Sequence, residues 1–386
     1  MKSVAFVNHL RLGSASSFRQ AGLAKYLGLL GLESEFLGLR GKTAGKAAEA
    51  PEWSCFRRLN YWDEPLVNRF RQNLGLFRTV ARQNEVLHVN RASPYTATIA
   101  ALGKSGWNTL VVDMEDWDGY GGYSSYASLY GARGFTLTFF ENTFPRMGDL
   151  VLTVSHLLTT RMAQLGVPRD KLLLIPNGFD EELFNPSISG EEEREAYGLK
   201  GLPVVVYMST FWQFERGLHE TALLAFKEVA RQIPDARLLM VGGGNLPVQS
   251  LIAEMGLEDR VIPTGFVARM RIPRLIAAAD VALHVISDHP FHRASSPMVM
   301  PEYMAMGKPI VAPRTGELAY ALAGGAGLLV DGPRPELLAA GVVALLGDEP
   351  RRREIGRMAM NKARDEYSYR SLAAKLKEAY ARSAKG

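Results

Sequence analysis

Four carboxylates crowd one short stretch, "LVVDMEDWDGYGGYSS". Asp113, Glu115, Asp116 and Asp118 sit at the end of an apolar, strand-like run. Asp116-Trp117-Asp118 has the spacing of a metal-binding Asp-x-Asp, although an oxygen-rich divalent site draws on more ligands than two. Paired carboxylates about 5 Å apart also serve in retaining glycoside hydrolysis. The residues favour a third chemistry: one or two carboxylates accept hydrogen bonds from a polyol, with Tyr120-Gly121-Gly122-Tyr123 as a flexible aromatic lip. No metal is expected to be needed.

A lone carboxylate, Glu302, occupies an otherwise apolar run, "SSPMVMPEYMAMGKPIVAP". An unpartnered buried carboxylate is costly. Ser295 or Ser296 is expected to cap a helix whose first turn includes Pro297 or Met298, with Val299 following. The first-turn amides would then be free for phosphate oxygens. Glu302 follows about a turn later, and two adjacent ribose hydroxyls suit its two acceptor oxygens. Its partner is therefore expected from a ligand; the alternative is a pair with a nearby base such as Lys308.

Three other stretches point to phosphate. Gly242, Gly243 and Gly244 follow a strand-like run and precede a helix, where backbone approaches a ligand closely. Pro247 stands where the dinucleotide fingerprint needs glycine, so no nicotinamide cofactor is implied. Gly13, Ser14, Ala15, Ser16 and Ser17 resemble an anion-receiving loop with serine caps, without the Gly-Lys-Ser/Thr ending of a P-loop. Arg216-Gly217 opens a helical stretch, placing a fork where it can hold a diphosphate. His9, just after the first strand, is the best-placed of seven histidines, which show no zinc-ligand spacing.

These residues need a frame. The chain has 386 residues, 47% apolar and 22% charged, enough for two ordinary domains. Short β-rich runs alternate with stretches of helical period, which predicts parallel sheets covered on both faces. The fold class expected is α/β, two Rossmann-like doubly wound domains facing across a cleft. The first spans 1–184, the second 185–367, and an amphipathic helix of about 368–386 rejoins the first. "IPNGFDEELFNPSISGEEEREAYG" reads as the linker. A single cysteine excludes an intrachain disulfide and suits a cytoplasmic setting. The opening "AFV" is too short for a signal h-region, and no run approaches a membrane span. The net charge of +5 is local: residues 38–82 hold nine basic and four acidic residues. This region is expected to contact an anionic membrane, peripherally at its inner face, with Leu66, Val67, Phe70, Leu74 and Phe77 at helical spacing. The competing reading packs those apolar residues into the first domain. No nucleic acid is expected.

In order, "GDLVLTVSHLLTTRMAQLGVPRDKLLLIPNGFDEELFNP", "RLLMVGGG", "EDRVIPTGFVARMRIPRLIAAADVAL" and "SSPMVMPEYMAMGKPIVAPRTGELAYAL" resemble the family 4 (group 1) glycosyltransferases of the GT-B fold. The resemblance implies sugar transfer from a nucleotide-diphosphate donor to a hydroxyl acceptor, lipid-linked in one reading, with retention, no metal and no cofactor. It implies that Glu302 holds the donor ribose and Arg216 the diphosphate, while Gly242–Gly244 and Gly265-Phe266-Val267 frame the base. Gly13 and Ser14 are implied near the donor phosphate, and Ser296, Pro297, Met298 and Val299 at the donor sugar and phosphates. Glu115 and Asp116 align with a His-Asp pair, so they and His9 are the catalytic candidates beside Arg216. Three departures stand out. Ala294 replaces the first Glu of the Glu-x7-Glu motif, Phe211 stands where a second diphosphate-binding Arg often occurs, and Glu115 replaces the His. An epimerase or phosphorylase on the same fold, or a non-catalytic nucleotide-sugar binder, are the alternatives.

Overall fold

The computed structural model describes residues 1–8, 14–39, 53–62 and 70–384. Two compact units emerge. The first comprises Met1–Gly178, His289–Ser296 and Tyr369–Gly386; the second comprises Phe179–Asp288 and Pro297–Ser368. The expected pair of doubly wound α/β sheets is present.

The first unit holds β1 (Ser3–Val7), β2 (Glu33–Leu39), β3 (Arg58–Trp62), β4 (Val86–Asn90), β5 (Thr109–Met114), β6 (Leu150–Thr153) and β7 (Leu172–Leu174). Their order is β3-β2-β1-β4-β5-β6-β7, parallel throughout. Because successive side chains point to opposite faces, each strand feeds two cores. Val4, Phe6, Val86 and Val111 meet helices Ala15–Leu29 and Tyr369–Ser383 on one face. Ala5, Val7, Leu87, Val89 and Val112 meet helices Phe70–Gln83 and Pro94–Gly103 on the other. Two covered faces explain the unbroken apolar runs. Gly22 has a specific job here: a Cβ on it would come 2.2 Å from the Tyr369 ring, so glycine lets the last helix lie close.

The second unit holds β8 (Val204–Met208), β9 (Arg237–Val241), β10 (Val261–Pro263), β11 (Val281–Leu283), β12 (Ile310–Pro313) and β13 (Leu328–Val330). Their order, β10-β9-β8-β11-β12-β13, repeats the winding of the first sheet. In each sheet the direction of winding reverses once, between β1 and β4 and between β8 and β11. Doubly wound sheets bind ligands at the carboxyl ends of the strands flanking such a reversal.

The 38–82 region is only partly described. Arg40, Lys42, Lys46, Leu66, Val67 and Arg69 lie outside the described residues. Within helix Phe70–Gln83, Phe77 is fully buried, and Phe70 and Leu74 pack against the same core. The described apolar side of this helix therefore faces the protein interior and not a membrane. Arg71, Arg78 and Arg82 are exposed. No helix among the described residues is long and apolar enough to cross a membrane.

Candidate functional site

In the first unit the polar chemistry gathers where β4 and β5 end and helix Ala15–Leu29 begins. Ser14 is the N-cap, accepting from the Ser17 amide. Two residues on, within the first turn, Ser16 Oγ donates to Glu115 Oε2. The other Glu115 oxygen accepts from Asn90 Nδ2, at the end of β4. Glu115 is 6% exposed. Burial, reinforced by the neighbouring Asp113 charge, pushes its carboxyl up to about 7 against the pull of Arg91 and Arg19. A carboxyl poised there can exchange a proton near neutral pH.

Asp116 and Asp118 are held by one residue that the sequence reading passed over. Arg91 reaches Asp116 Oδ2 with Nη2 and Asp118 Oδ1 with Nη1 at 3.1 Å, with Glu115 Oε2 4.0 Å from its Nε. Burial raises the Asp116 carboxyl to about 6; Arg91 opposes the rise and Asp118 adds to it. Ser295 Oγ lies 3.5 Å from Asp116 Oδ1. The aromatic lip is pinned rather than loose: Trp117 Nε1 donates to the Tyr120 carbonyl at 3.1 Å and the Tyr120 hydroxyl to the Gly131 carbonyl at 3.0 Å. Gly121, at φ 89°, fits against the Trp117 ring, where a Cβ would come within 2.6 Å.

Asp113, the first of the acidic cluster, is engaged by protein partners. It is fully buried and paired with Arg19, whose Nε donates to Oδ2 at 3.0 Å and Nη2 to Oδ1 at 3.3 Å. His88 Nε2 lies 3.0 Å from the same Oδ2, and its Nδ1 lies 2.5 Å from the Tyr380 hydroxyl. Burial alone would raise the Asp113 carboxyl; Arg19 and His88 outweigh it and hold it well below the usual range. Arg19 also donates to the carbonyls of Ile175 and Pro176, each at 2.7 Å. His9 and Gly13 lie outside the described residues.

In the second unit the glycine turn and the Gly265-Phe266-Val267 segment lie together. Gly242 and Gly265 form an isolated antiparallel bridge. A Cβ on Gly242 would strike the Ser209 carbonyl at 2.0 Å, one on Gly243 the Phe266 ring at 2.6 Å, and one on Gly244 the Phe211 carbonyl at 2.0 Å. Phe266 is 80% exposed, an aromatic face beside a bare backbone turn. Phe211 is buried against Tyr207 and His219 and fills core. Arg216 opens helix Arg216–Gln232, but its fork is already engaged. Nε donates to Glu220 at 2.7 Å and Nη2 to Glu254.

Two expectations about the 295–302 stretch are corrected. The helix runs Val299–Ala305, with Met298 in the cap position and no side-chain cap. Neither serine caps it: Ser296 Oγ accepts the Asn177 amide at 3.1 Å and Ser295 Oγ donates to the Phe291 carbonyl at 2.9 Å. Glu302 does have a protein partner. It is 1% exposed, and Arg269 Nη2 donates to its Oε1 at 2.5 Å. Burial raises its carboxyl, partly offset by Arg269. Lys308, the alternative partner, instead caps the Ala277 and Ala279 carbonyls, and burial lowers its ammonium to about 8. Arg269 sits 33 residues upstream, so only the topology could have named it. Among the described residues no group of three or more His, Cys, Asp or Glu is placed to hold a metal.

Two family profiles match the chain: the Glycosyl transferase 4-like domain over residues 16–178, and Glycosyl transferases group 1 over residues 202–348. The chain is 30% identical over 236 residues to the GDP-mannose-dependent alpha-(1-6)-phosphatidylinositol monomannoside mannosyltransferase of Mycolicibacterium smegmatis, covering 60% of this chain and 61% of that one. It is 30% identical over 225 residues to the D-inositol 3-phosphate glycosyltransferase of Corynebacterium efficiens, covering 55% and 51%. The chain thus spans 51–61% of the length of these curated relatives. Anabaena HepE, solved in complex with UDP-glucose, superposes with a TM-score of 0.78 at 19% identity, covering 99% of this chain and 100% of that one. At that identity the likeness is one of fold.

Proposed function

We propose, for a chain that belongs to the group 1 glycosyltransferases of the GT-B fold, that it moves a sugar from a nucleotide-diphosphate donor to an acceptor hydroxyl. One observation carries the reading above the others: both doubly wound units match glycosyltransferase profiles, in order. The donor belongs to the second unit. The Gly242–Gly244 turn and Phe266-Val267 frame the base, Pro297, Met298 and Val299 approach the sugar and phosphates, and Glu302 takes the ribose with Arg269 fixing its angle. Arg216 takes the diphosphate by exchanging Glu254 for it. Glu254 is about half exposed, so releasing it disturbs little.

The acceptor belongs to the first unit, at Glu115 and Asp116, with Ser16 at the adjoining helix start, while Ser14, like Gly13, is assigned to the donor phosphate. The anomeric carbon loses its bond to the diphosphate oxygen and gains one to the acceptor oxygen. The acceptor proton passes to the departing diphosphate, with Asp116 aligning the hydroxyl. This route retains configuration without an enzyme nucleophile. Stabilising the diphosphate charge is the main catalytic work, and Arg216 supplies it without a metal. The names of the two relatives support a polyol acceptor, lipid-linked in one of them. Arg71, Arg78 and Arg82 suit an anionic membrane surface on the cytoplasmic side.

A panel of UDP-, GDP-, ADP- and dTDP-sugars, read by thermal shift and calorimetry, tests the donor claim. One nucleotide should stabilise the protein, and free nucleotide diphosphate should do nearly as well. Absence of any response across the panel would refute the reading. Full activity in EDTA is expected; loss restored by Mn²⁺ would overturn the metal-free route. Co-sedimentation with phosphatidylglycerol vesicles should fall when Arg71, Arg78 and Arg82 become Glu; unchanged binding would exclude that surface.

A further inference from the structure

Asp116-Trp117-Asp118 has the pattern of a divalent-cation site, and its two carboxylates do converge on one cation. That cation is a side chain. Arg91 Nη2 meets Asp116 and Nη1 meets Asp118 Oδ1 at 3.1 Å. Its Nε stands 4.0 Å from Glu115 Oε2. The side chain is 20% exposed, and the two aspartates are 18% exposed each. Solvent therefore screens this cluster less than a surface pair.

The backbone at Arg91 is unusual. Its φ is 57°, a left-handed conformation that a long side chain rarely takes and that persists only where its surroundings impose it. Its amide donates to the Asp113 carbonyl at 2.8 Å and its carbonyl accepts from Thr96 Oγ1 at 3.3 Å. The far side is equally fixed. The Trp117 carbonyl accepts the Tyr123 amide at 2.7 Å, the Asp118 carbonyl accepts the Ser124 amide at 3.1 Å, and the Arg161 guanidinium lies 4.0 Å over the Trp117 ring. A charge fork and a carboxylate pair are thus each held rigid and aimed at one another.

We propose that Arg91 is a positioning residue, a built-in cation filling the place a divalent ion would take between Asp116 and Asp118 and fixing the angle Asp116 presents to the acceptor hydroxyl. The role of Asp116 rests on the glycosyl-transfer reading; the occupancy by Arg91 does not.

The test separates the two. Arg91→Gly removes the fork and suits the left-handed backbone. Terbium is the probe, because Trp117 lies between the two aspartates and can sensitise its emission. Wild-type protein should give no Trp-sensitised emission at micromolar terbium. R91G should gain it, lose it again with Asp116→Asn added, and release terbium to millimolar guanidinium. If R91G does not fold, Arg91→Gln, which keeps donors and removes charge, takes its place with the same expectation. Emission from wild type that Asp116→Asn abolishes, or silence from a folded R91G or R91Q, would overturn the proposal. Once a transfer assay is in hand, R91G should lose roughly tenfold or more in kcat, keep its donor Kd, and recover in part with guanidinium. Loss of donor binding in step with kcat would also refute it. Failure of every nucleotide sugar to bind wild type would strike the transfer reading alone.

Discussion

Asp113→Asn removes one charge from a pair in which neither partner touches water. Arg19 and Asp113 are both 0% exposed. The Asn keeps the shape but leaves the guanidinium without its main counter-charge. Breaking a buried pair from one side costs about 3–5 kcal/mol. Glu115, 3.7 Å from Arg19 Nε, and the Ile175 and Pro176 carbonyls remain, which argues for the lower end, about 3 kcal/mol. In a unit of this size that is a fall of about 6–12 °C in the melting temperature. Calorimetry reads the size, and hydrogen exchange by mass spectrometry reads the place. Protection should drop in β1, β4, β5 and helix Tyr369–Ser383 and hold in β8–β13. Acid closes the gap. The folded carboxyl lies below its ordinary range, so its contribution is complete above about pH 4 and shrinks as pH falls further. A shift under 2 °C at pH 7, or a gap that widens in acid, would refute the account of this pair as the first unit's central ionic contact.

Glu115 has the opposite sign. Its folded pKa is raised to about 7, so its contribution is whole at low pH and is lost as pH rises through that value. Glu115→Gln should therefore stabilise at pH 8 by on the order of 1–3 kcal/mol and do little at pH 5, measured by urea denaturation at both. Glu302→Gln should weaken nucleotide-sugar binding roughly tenfold to a hundredfold by calorimetry. Because burial outweighs Arg269 and raises the Glu302 carboxyl, the same change should leave the second unit's melting point unchanged or higher at pH 8; a stability loss with unchanged donor affinity would make Glu302 structural only. Glu254→Gln should tighten donor binding a few-fold by releasing Arg216, whereas Arg216→Ala should weaken it at least tenfold. Gly242→Ala should unseat the turn, since φ is 129° and the Ser209 carbonyl stands 2.0 Å from the new methyl; circular dichroism should still show folded protein while donor binding is lost.

The parts of the fold legible in the sequence were those with local signals. Buried parallel strands such as Val204–Met208 announce themselves as unbroken apolar runs. Glu33–Leu39, "ESEFLGL", does not, because Glu35 is fully buried yet charged, held by Arg57 and Asn84. Arg58–Trp62, an edge strand, and the three-residue Leu328–Val330 carry too little pattern to separate from loop. The glycine turns were legible because backbone approach demands glycine whatever the fold. What stayed hidden was pairing across the sheet. Arg19 with Asp113, Arg91 with Asp116, and Arg269 with Glu302 join positions that only the winding order makes neighbours. Ser296 misled for the same reason: it answers to Asn177, more than a hundred residues upstream, and not to its own helix, while Ser295 turns back to the Phe291 carbonyl.

That distant pairing has an order to it. The chain leaves the first unit after Gly178, re-enters at His289, leaves again after Ser296 and returns at Tyr369. Asn177 Nδ2 donates to the Ser296 carbonyl at 2.6 Å, and its Oδ1 accepts from Arg19 Nη1 at 3.2 Å. Ser155 Oγ donates to the Ala294 carbonyl at 2.6 Å. Tyr369 lies on Gly22, one helical turn from Arg19, and Tyr380 closes the network on His88. Both exits and the final return are thus fastened, inside the first unit, to neighbours of one buried arginine. Asp113→Asn, which loosens Arg19, should raise exchange at 175–178, 294–296 and 369–372 together, whereas a change confined to the sheet core would raise none of the three. Correlated exchange at these separated segments distinguishes a shared fastening from three independent contacts; independent responses would mean that Arg19 serves only its local pair.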